Sequence, residues 1–238
     1  MASACHGDGY WQCPDQPMPP GSVLTIRPGF SSTIACMQET VVLLHGALMT
    51  GRVMSVLARR LKGCGYRTVL YDYPTRRRSM QDNAQSLAGF VAGLGAGRVH
   101  LVGHSMGGVL ILRALQADPG MPPGRVVLMG APVRGSAVAR RLWCHGPGRW
   151  LLGAGAEEGL LDEVPDWTYG REIGVIAGDM PIGFGRVLGG LGDRHDGTVG
   201  LAETCLQGAA DTIVVNASHT SMVLSRKVAE QVCHFLHH

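Results

Sequence analysis

From residue 41 onward, continuous apolar runs alternate with stretches in which apolar residues recur every three or four positions. Val41–His45, Arg67–Tyr73, Val99–Gly103, Arg125–Met129, Glu172–Ala177 and Thr212–Asn216 are short runs rich in Val, Leu and Ile. Their apolar character is unbroken where a half-exposed strand would alternate, which predicts strands buried on both faces. Between them, residues 50–62 place Val53, Met54, Leu57 and Leu61 on one helical face, and Gly63 and Gly65 supply a stop. Residues 80–94 do the same with Leu87, Phe90, Val91 and Leu94, and Met106–Ala117 makes a helix that Pro119-Gly120 closes. A C-terminal helix carries Val223, Val228, Val232 and Phe235. Such alternation predicts an α/β domain, a mostly parallel central sheet with helices on both faces. Residues 1–22, rich in Gly, Pro and polar side chains, read as a flexible N-terminal arm, and 23–238 as one domain.

Composition agrees with a folded domain and narrows its partners. Apolar residues make up 45% of the 238 and charged ones 16%, which excludes a disordered tail. A net charge of +3 on a chain this long gives no basis for a nucleic-acid partner. No apolar run approaches the roughly 18 residues of a membrane span. Residues 1–22 lack a charged start followed by an apolar segment, so a cytoplasmic location is the expectation. The seven cysteines are scattered without paired C-x-x-C spacing and read as unligated thiols. A single Cys5–Cys13 disulfide is the alternative for an exported protein.

The sharpest chemical signal is Gly103-His104-Ser105-Met106-Gly107-Gly108, which follows a buried strand and opens a helix. A sharp strand-to-helix turn lifts a serine hydroxyl clear of the sheet at a helix N-terminus. Side chains two residues to either side would collide, so glycine is needed there. Ser105 is therefore the expected nucleophile. A serine needs a base and a group that orients it, in the chain order Ser, acid, His on this kind of scaffold. His219, just beyond the last strand and before the last helix, is the expected base. His104 is only the variable residue of the turn. For the acid, Asp196 in His195-Asp-Gly-Thr-Val-Gly200, Asp179 at the end of a strand, and Asp193 stand nearly even, because a turn-forming Asp needs no catalytic explanation. The strand Val41–His45 runs into Gly46-Ala47-Leu48, so the Ala47 N–H is expected to pair with the Met106 N–H as an oxyanion hole.

In order, His45-Gly46, YDYPTRRRS (71–79), the Ser105 turn, Gly130-Ala-Pro-Val-Arg-Gly-Ser136, VIAGD (175–179), DGTVG (196–200) and SHT (218–220) resemble the bacterial triacylglycerol lipase/esterase-like branch of the α/β hydrolases. The resemblance covers roughly residues 38–236. It implies the α/β-hydrolase fold, with a small cap after the fold's sixth strand, here about residues 133–171. It selects Asp196 as the acid, because relatives carry it in an Asp-Gly-x-Val segment. It also implies a carboxylic ester hydrolase acting on a small-molecule acyl ester through an acyl-enzyme, with no organic cofactor; no acidic cluster here calls for a metal. A thioesterase or acyltransferase on the same residues, and a non-catalytic hydrolase-fold binding protein, are the rivals. Segment 133–171 reads as a small apolar core or as a mobile lid. Arg76-Arg77-Arg78 reads as a solvated cluster.

Overall fold

All six apolar runs become strands of one parallel sheet in the computed structural model, which describes residues 39–183, 185 and 191–237. The strands are β1 (Thr40–Leu44), β2 (Arg67–Tyr71), β3 (Val99–His104), β4 (Val126–Met129), β5 (Ile173–Gly178) and β6 (Asp211–Val215). Their order is β2-β1-β3-β4-β5-β6. β1, the first described strand, lies next to the β2 edge; after β2 the chain returns across β1 to β3 and continues to β6. Boundaries differ from the sequence reading by one or two residues. Tyr73 leaves the second strand, and His104 joins the third up to the serine itself.

Helices α1 (Ser55–Gly63), α2 (Met80–Gly93), α3 (Met106–Ala117) and a C-terminal helix, here α6 (Arg226–His237), cover the sheet. Successive strand residues point to opposite faces. Val42, Leu44, Leu101, Leu128 and Val175 pack against Leu87 and Val91 of α2 and Val109 and Leu112 of α3. Val41, Leu43, Val102, Val127 and Ile176 pack against Leu57 and Leu61 of α1 and Val228 and Val232 of α6. Each helix thus buries the stripe that its periodicity prescribes. Two stretches deviate. Residues 51–54 form a 3-10 turn before α1, and Val223 belongs to a separate 3-10 turn, Ser221–Leu224, ahead of α6.

Segment 133–171 connects β4 to β5, the fourth and fifth of the six described strands, and it is more regular than its composition suggests. It contains α4 (Ala137–Trp143), α5 (Gly146–Leu152) and a π-helical turn, Glu157–Leu161. Leu152, Leu160, Val164 and Trp167 join the main core, whereas Trp150 is 73% exposed. The apolar residues of this segment therefore divide between core closure and an outer surface.

Cysteine chemistry departs from expectation. Cys64, at the end of α1, is bonded to Cys233 of α6, with Cα atoms 6.4 Å apart, and Cys205 is disulfide-bonded too. Cys144 is a free, exposed thiol. The two partners in the first bridge are 169 residues apart, so no local spacing betrayed the pair. Folding brings them together because α1 and α6 share one face of the sheet. The expected N-terminal arm and the Cys5–Cys13 alternative lie outside the described residues.

Candidate active site

Ser105 sits between the last residue of β3 and the first of α3 with φ 54° and ψ −127°, a region that a side-chain-bearing residue rarely adopts. Its neighbours explain how such a turn closes. A Cβ on Gly103 would lie 2.5 Å from the Gly108 nitrogen, and one on Gly107 would lie 2.5 Å from the His45 carbonyl oxygen. Only glycine fits at either place. The Ser105 N–H donates to the Met129 carbonyl at 2.8 Å, which ties the turn to the neighbouring strand. Met106, as first residue of α3, has a backbone N–H without an acceptor in its own helix. Its fully buried side chain holds it against the core.

The β1 loop reaches the same place from the other side. A Cβ on Gly46 would come within 2.9 Å of Ser105 Cβ, so Gly46 allows the loop to lie directly against the serine. Leu48 follows in the left-handed region at φ 59°. This puts Ala47 on a bent loop beside the elbow.

His219 and Asp196 arrive from loops after β6 and β5. His219 Nδ1 is 2.7 Å from Asp196 Oδ2, and both residues are buried. Since the carboxylate accepts, the ring carries its proton on Nδ1 and leaves Nε2 as the lone-pair side. The His219 N–H also donates to the Asp196 carbonyl at 2.8 Å. Asp196 Oδ1 takes the N–H groups of Thr198 (2.9 Å) and Val199 (2.7 Å), which leaves Oδ2 aimed at the imidazole. The same turn is tied to α4 by Glu203, whose carboxylate accepts from Gly200 N–H (2.9 Å) and Ala137 N–H (2.6 Å). Burial raises the Glu203 carboxyl above the ordinary carboxylate range.

Asp179 points elsewhere. It pairs with Arg194 at 2.8 Å and receives Asn216 Nδ2 at 3.5 Å. Asp193 is exposed. The structure thus brings Asp196 to His219, and neither of its two rivals. The Ser105 hydroxyl makes no hydrogen bond within the described residues. A nucleophile–base contact of this kind often tightens only when substrate is bound.

Residues that sequence reasoning passed over complete the arrangement. His104 is fully buried, and its Nε2–H donates to the His219 carbonyl at 2.8 Å. Its ring lies 4.7 Å from that of His219. Burial, and then the neighbouring His219, push His104 down to about 3, so it stays neutral beside the candidate base. His45 is equally buried, with Nε2 near Asp72 and Nδ1 on the Gly46 carbonyl. The Tyr73 hydroxyl, raised far above its ordinary value by burial, donates to the His45 carbonyl at 2.9 Å. The π-helical turn packs on the starts of α2 and α3: a Cβ on Gly159 would lie 2.1 Å from Met80 Cε and 3.4 Å from Met106 Cγ. Only His45-Gly46 and the YDY of β2's end were visible as a signal, and neither announced a contact between them.

A six-stranded parallel sheet in this order, with a strained serine at the β3–α3 junction, defines the α/β-hydrolase class. Residues 41–226 match the alpha/beta hydrolase family, and the chain belongs to that family. A curated relative, 2-hydroxy-6-oxononadienedioate/2-hydroxy-6-oxononatrienedioate hydrolase 2 of Pseudomonas putida, is 36% identical over 111 residues, 42% of this chain and 38% of the relative. Hydrolase 1 of the same kind from Dechloromonas aromatica (strain RCB) is 32% identical over 109 residues, 41% and 37% of the two chains. The match therefore spans less than two fifths of the length of these relatives. Among solved structures, the Bacillus licheniformis lipase BlEst2 in mature form aligns at TM-score 0.69 and 22% identity, over 83% of this chain and 93% of that one. The metagenomic carboxyl esterase MGS0156 aligns at TM-score 0.63 and 18% identity, over 91% and 73%. At such identities the shared property is the fold.

Proposed function

We propose that the protein is a serine hydrolase of carboxylic esters. Ser105 is the nucleophile, His219 the general base, Asp196 the group that orients it, and the Ala47 and Met106 N–H groups are the oxyanion donors. The observation that carries this reading is the His219 Nδ1–Asp196 Oδ2 contact of 2.7 Å beside an elbow whose serine is held at φ 54°. In the first half-reaction Ser105 Oγ bonds to the ester carbonyl carbon while His219 Nε2 takes the hydroxyl proton. The carbonyl oxygen becomes an oxyanion facing the two N–H donors. Collapse expels the alcohol, which leaves with the proton from His219. Water then loses a proton to the same nitrogen, attacks the acyl-enzyme, and releases the acid with Ser105 restored. Asp196 Oδ2 accepts from Nδ1–H throughout and holds the imidazolium in place.

A second reading uses the same residues on an oxo-dicarboxylate, and one observation favours it: the curated relatives are named as hydrolases of such compounds. As for location, the Cys64–Cys233 disulfide supports an oxidising compartment over the cytoplasm.

The test is turnover of a p-nitrophenyl ester series from acetate to palmitate, run beside 2-hydroxy-6-oxononadienedioate, with wild type and Ser105→Ala. Ester turnover that disappears in Ser105→Ala, together with fluorophosphonate labelling of Ser105, is the expected result. Wild-type ester hydrolysis in Ser105→Ala would sink the mechanism. Turnover of the dienedioate alone would transfer the assignment to the second reading.

A further inference from the structure

We propose that Glu203 is a positioning residue that clamps the Asp196 turn to the entrance of the cap and so keeps the carboxylate aimed at His219; this rests on the reading of Asp196 as the orienting acid. The Asx turn holds Asp196 Oδ1 against the N–H groups of Thr198 and Val199, but those bonds lie inside the turn. They do not set its direction relative to His219. The turn also contains Gly197 at φ 94° and runs into Gly200, so its own backbone resists reorientation weakly.

Bonds from outside the turn supply what it lacks. The His219 N–H donates to the Asp196 carbonyl at 2.8 Å, and the Gly185 N–H donates to the Gly197 carbonyl at 2.9 Å. Both secure the leading end. Glu203 secures the trailing end. It lies in the 3-10 turn Leu201–Thr204, and its Oε2 folds back to accept the Gly200 N–H at 2.9 Å, in the manner of a capping glutamate.

The other oxygen reaches across to the cap segment. Glu203 Oε1 accepts the Ala137 N–H at 2.6 Å. Ala137 is the first residue of α4, so that N–H has no acceptor within its own helix. The backbone reinforces the link: the Glu203 carbonyl accepts the Arg134 N–H at 3.0 Å, and Arg134 Nε–H donates to the Cys205 carbonyl at 3.0 Å. One carboxylate thus joins the strand of chain that enters the cap to the one that carries the acid. A shift of α4 is transmitted to the Asp196 turn, and the His219 N–H bond to the Asp196 carbonyl limits how far the carboxylate can follow.

Glu203→Gln tests the clamp, because the amide keeps the size of the side chain but has one acceptor oxygen, which leaves one of the two N–H groups facing an NH2. The readouts are kcat and KM on p-nitrophenyl butyrate, referred to the folded fraction from urea unfolding, and the downfield NMR resonance of the His219 Nδ1 proton. A misplacement of about 1 Å can cost about 100-fold in rate. The bond from the His219 N–H bounds the shift below that, so kcat should fall roughly tenfold with KM within about twofold, and the Nδ1 resonance should move upfield. Ala137→Pro breaks the link from the other side. Proline suits the first position of a helix, and Ser136 before it already has the extended backbone that proline demands, φ −105° and ψ 119°. It should lower kcat by a similar factor. The double variant should be no slower than the slower single one, since both changes cut the same connection. Wild-type kcat and an unmoved Nδ1 resonance in the two single variants, whatever the urea midpoint, would overturn the proposal, as would losses that multiply in the double variant. In either case an inactive Asp196→Asn leaves the parent reading intact. Wild-type turnover in Asp196→Asn overturns the parent reading and this one with it.

Discussion

Exchanging His104 for glutamine should flatten part of the protein's acid sensitivity, and the size of that part follows from where the ring sits. His104 is fully buried between the elbow and His219, and burial pushes it from an ordinary 6.5 to about 3. In the unfolded chain the ring takes up a proton below about pH 6.5, while the native ring refuses it until about pH 3. Proton uptake by the unfolded state alone favours unfolding. The stability held by neutral His104 is thus complete above pH 6.5 and is lost progressively as pH falls toward 3. Each pH unit inside that window costs about 1.4 kcal/mol, so a drop from pH 7 to 4.5 should remove roughly 2 to 3 kcal/mol through this group. A glutamine amide can reach the position of the ring's Nε2 and donate to the His219 carbonyl, but it has no proton to gain. Urea unfolding at pH 7, 6, 5.5 and 4.5 on both proteins isolates the effect. The carboxylates and His100, which burial also lowers, are present in both and cancel. Two curves that run parallel across the whole range would refute the reasoning, since they would mean that the His104 ring titrates alike folded and unfolded.

Two further predictions concern the acid and the disulfide. Asp196→Asn should lower kcat by about four orders of magnitude while leaving the fold intact, because the ring would lose the acceptor that selects its tautomer. Asp179→Asn should change kcat by less than about threefold, since its partners are Arg194 and Asn216 and surface pairs of that kind are worth under about 1 kcal/mol; equal losses in the two variants would reopen the assignment. Reducing the Cys64–Cys233 bridge, or replacing both residues with serine, releases a loop whose ends are 169 residues apart. Loop-closure entropy puts the loss near 5 kcal/mol, read as a fall in the urea midpoint. A midpoint unchanged by dithiothreitol would show that the bridge contributes nothing to stability.

Which parts were legible in the sequence follows from how far apart the interacting residues lie. The strands and the four sheet-covering helices were readable because each is written in its own periodicity, and the elbow because Gly103 and Gly107 flank the residue whose turn excludes a Cβ. In the cap, Gly146, Pro147 and Gly148 open α5 and Gly153 ends it. Gly146 and Gly148 inside the helix argue against it on propensity, although Pro147 at its start and Gly153 past its end suit helix boundaries. Tertiary packing of Leu152 overrides the glycines. The Cys64–Cys233 bridge, the His45–Asp72 contact and the His104 donation to His219 escaped for a different reason. In each, groups from distant segments meet only because the sheet has already formed. The acid shows the boundary between these regimes. Asp179 and Asp196 both follow β5, and both sit in turn-forming company, so local chemistry could not divide them. What divides them is the Asx turn at 196–199, where Thr198 and Val199 N–H groups occupy Oδ1 and leave only Oδ2 for His219. Asp179, one residue past β5, spends its carboxylate on Arg194 at the rim. The turn chemistry that made Asp196 look ordinary in sequence is the same chemistry that aims it.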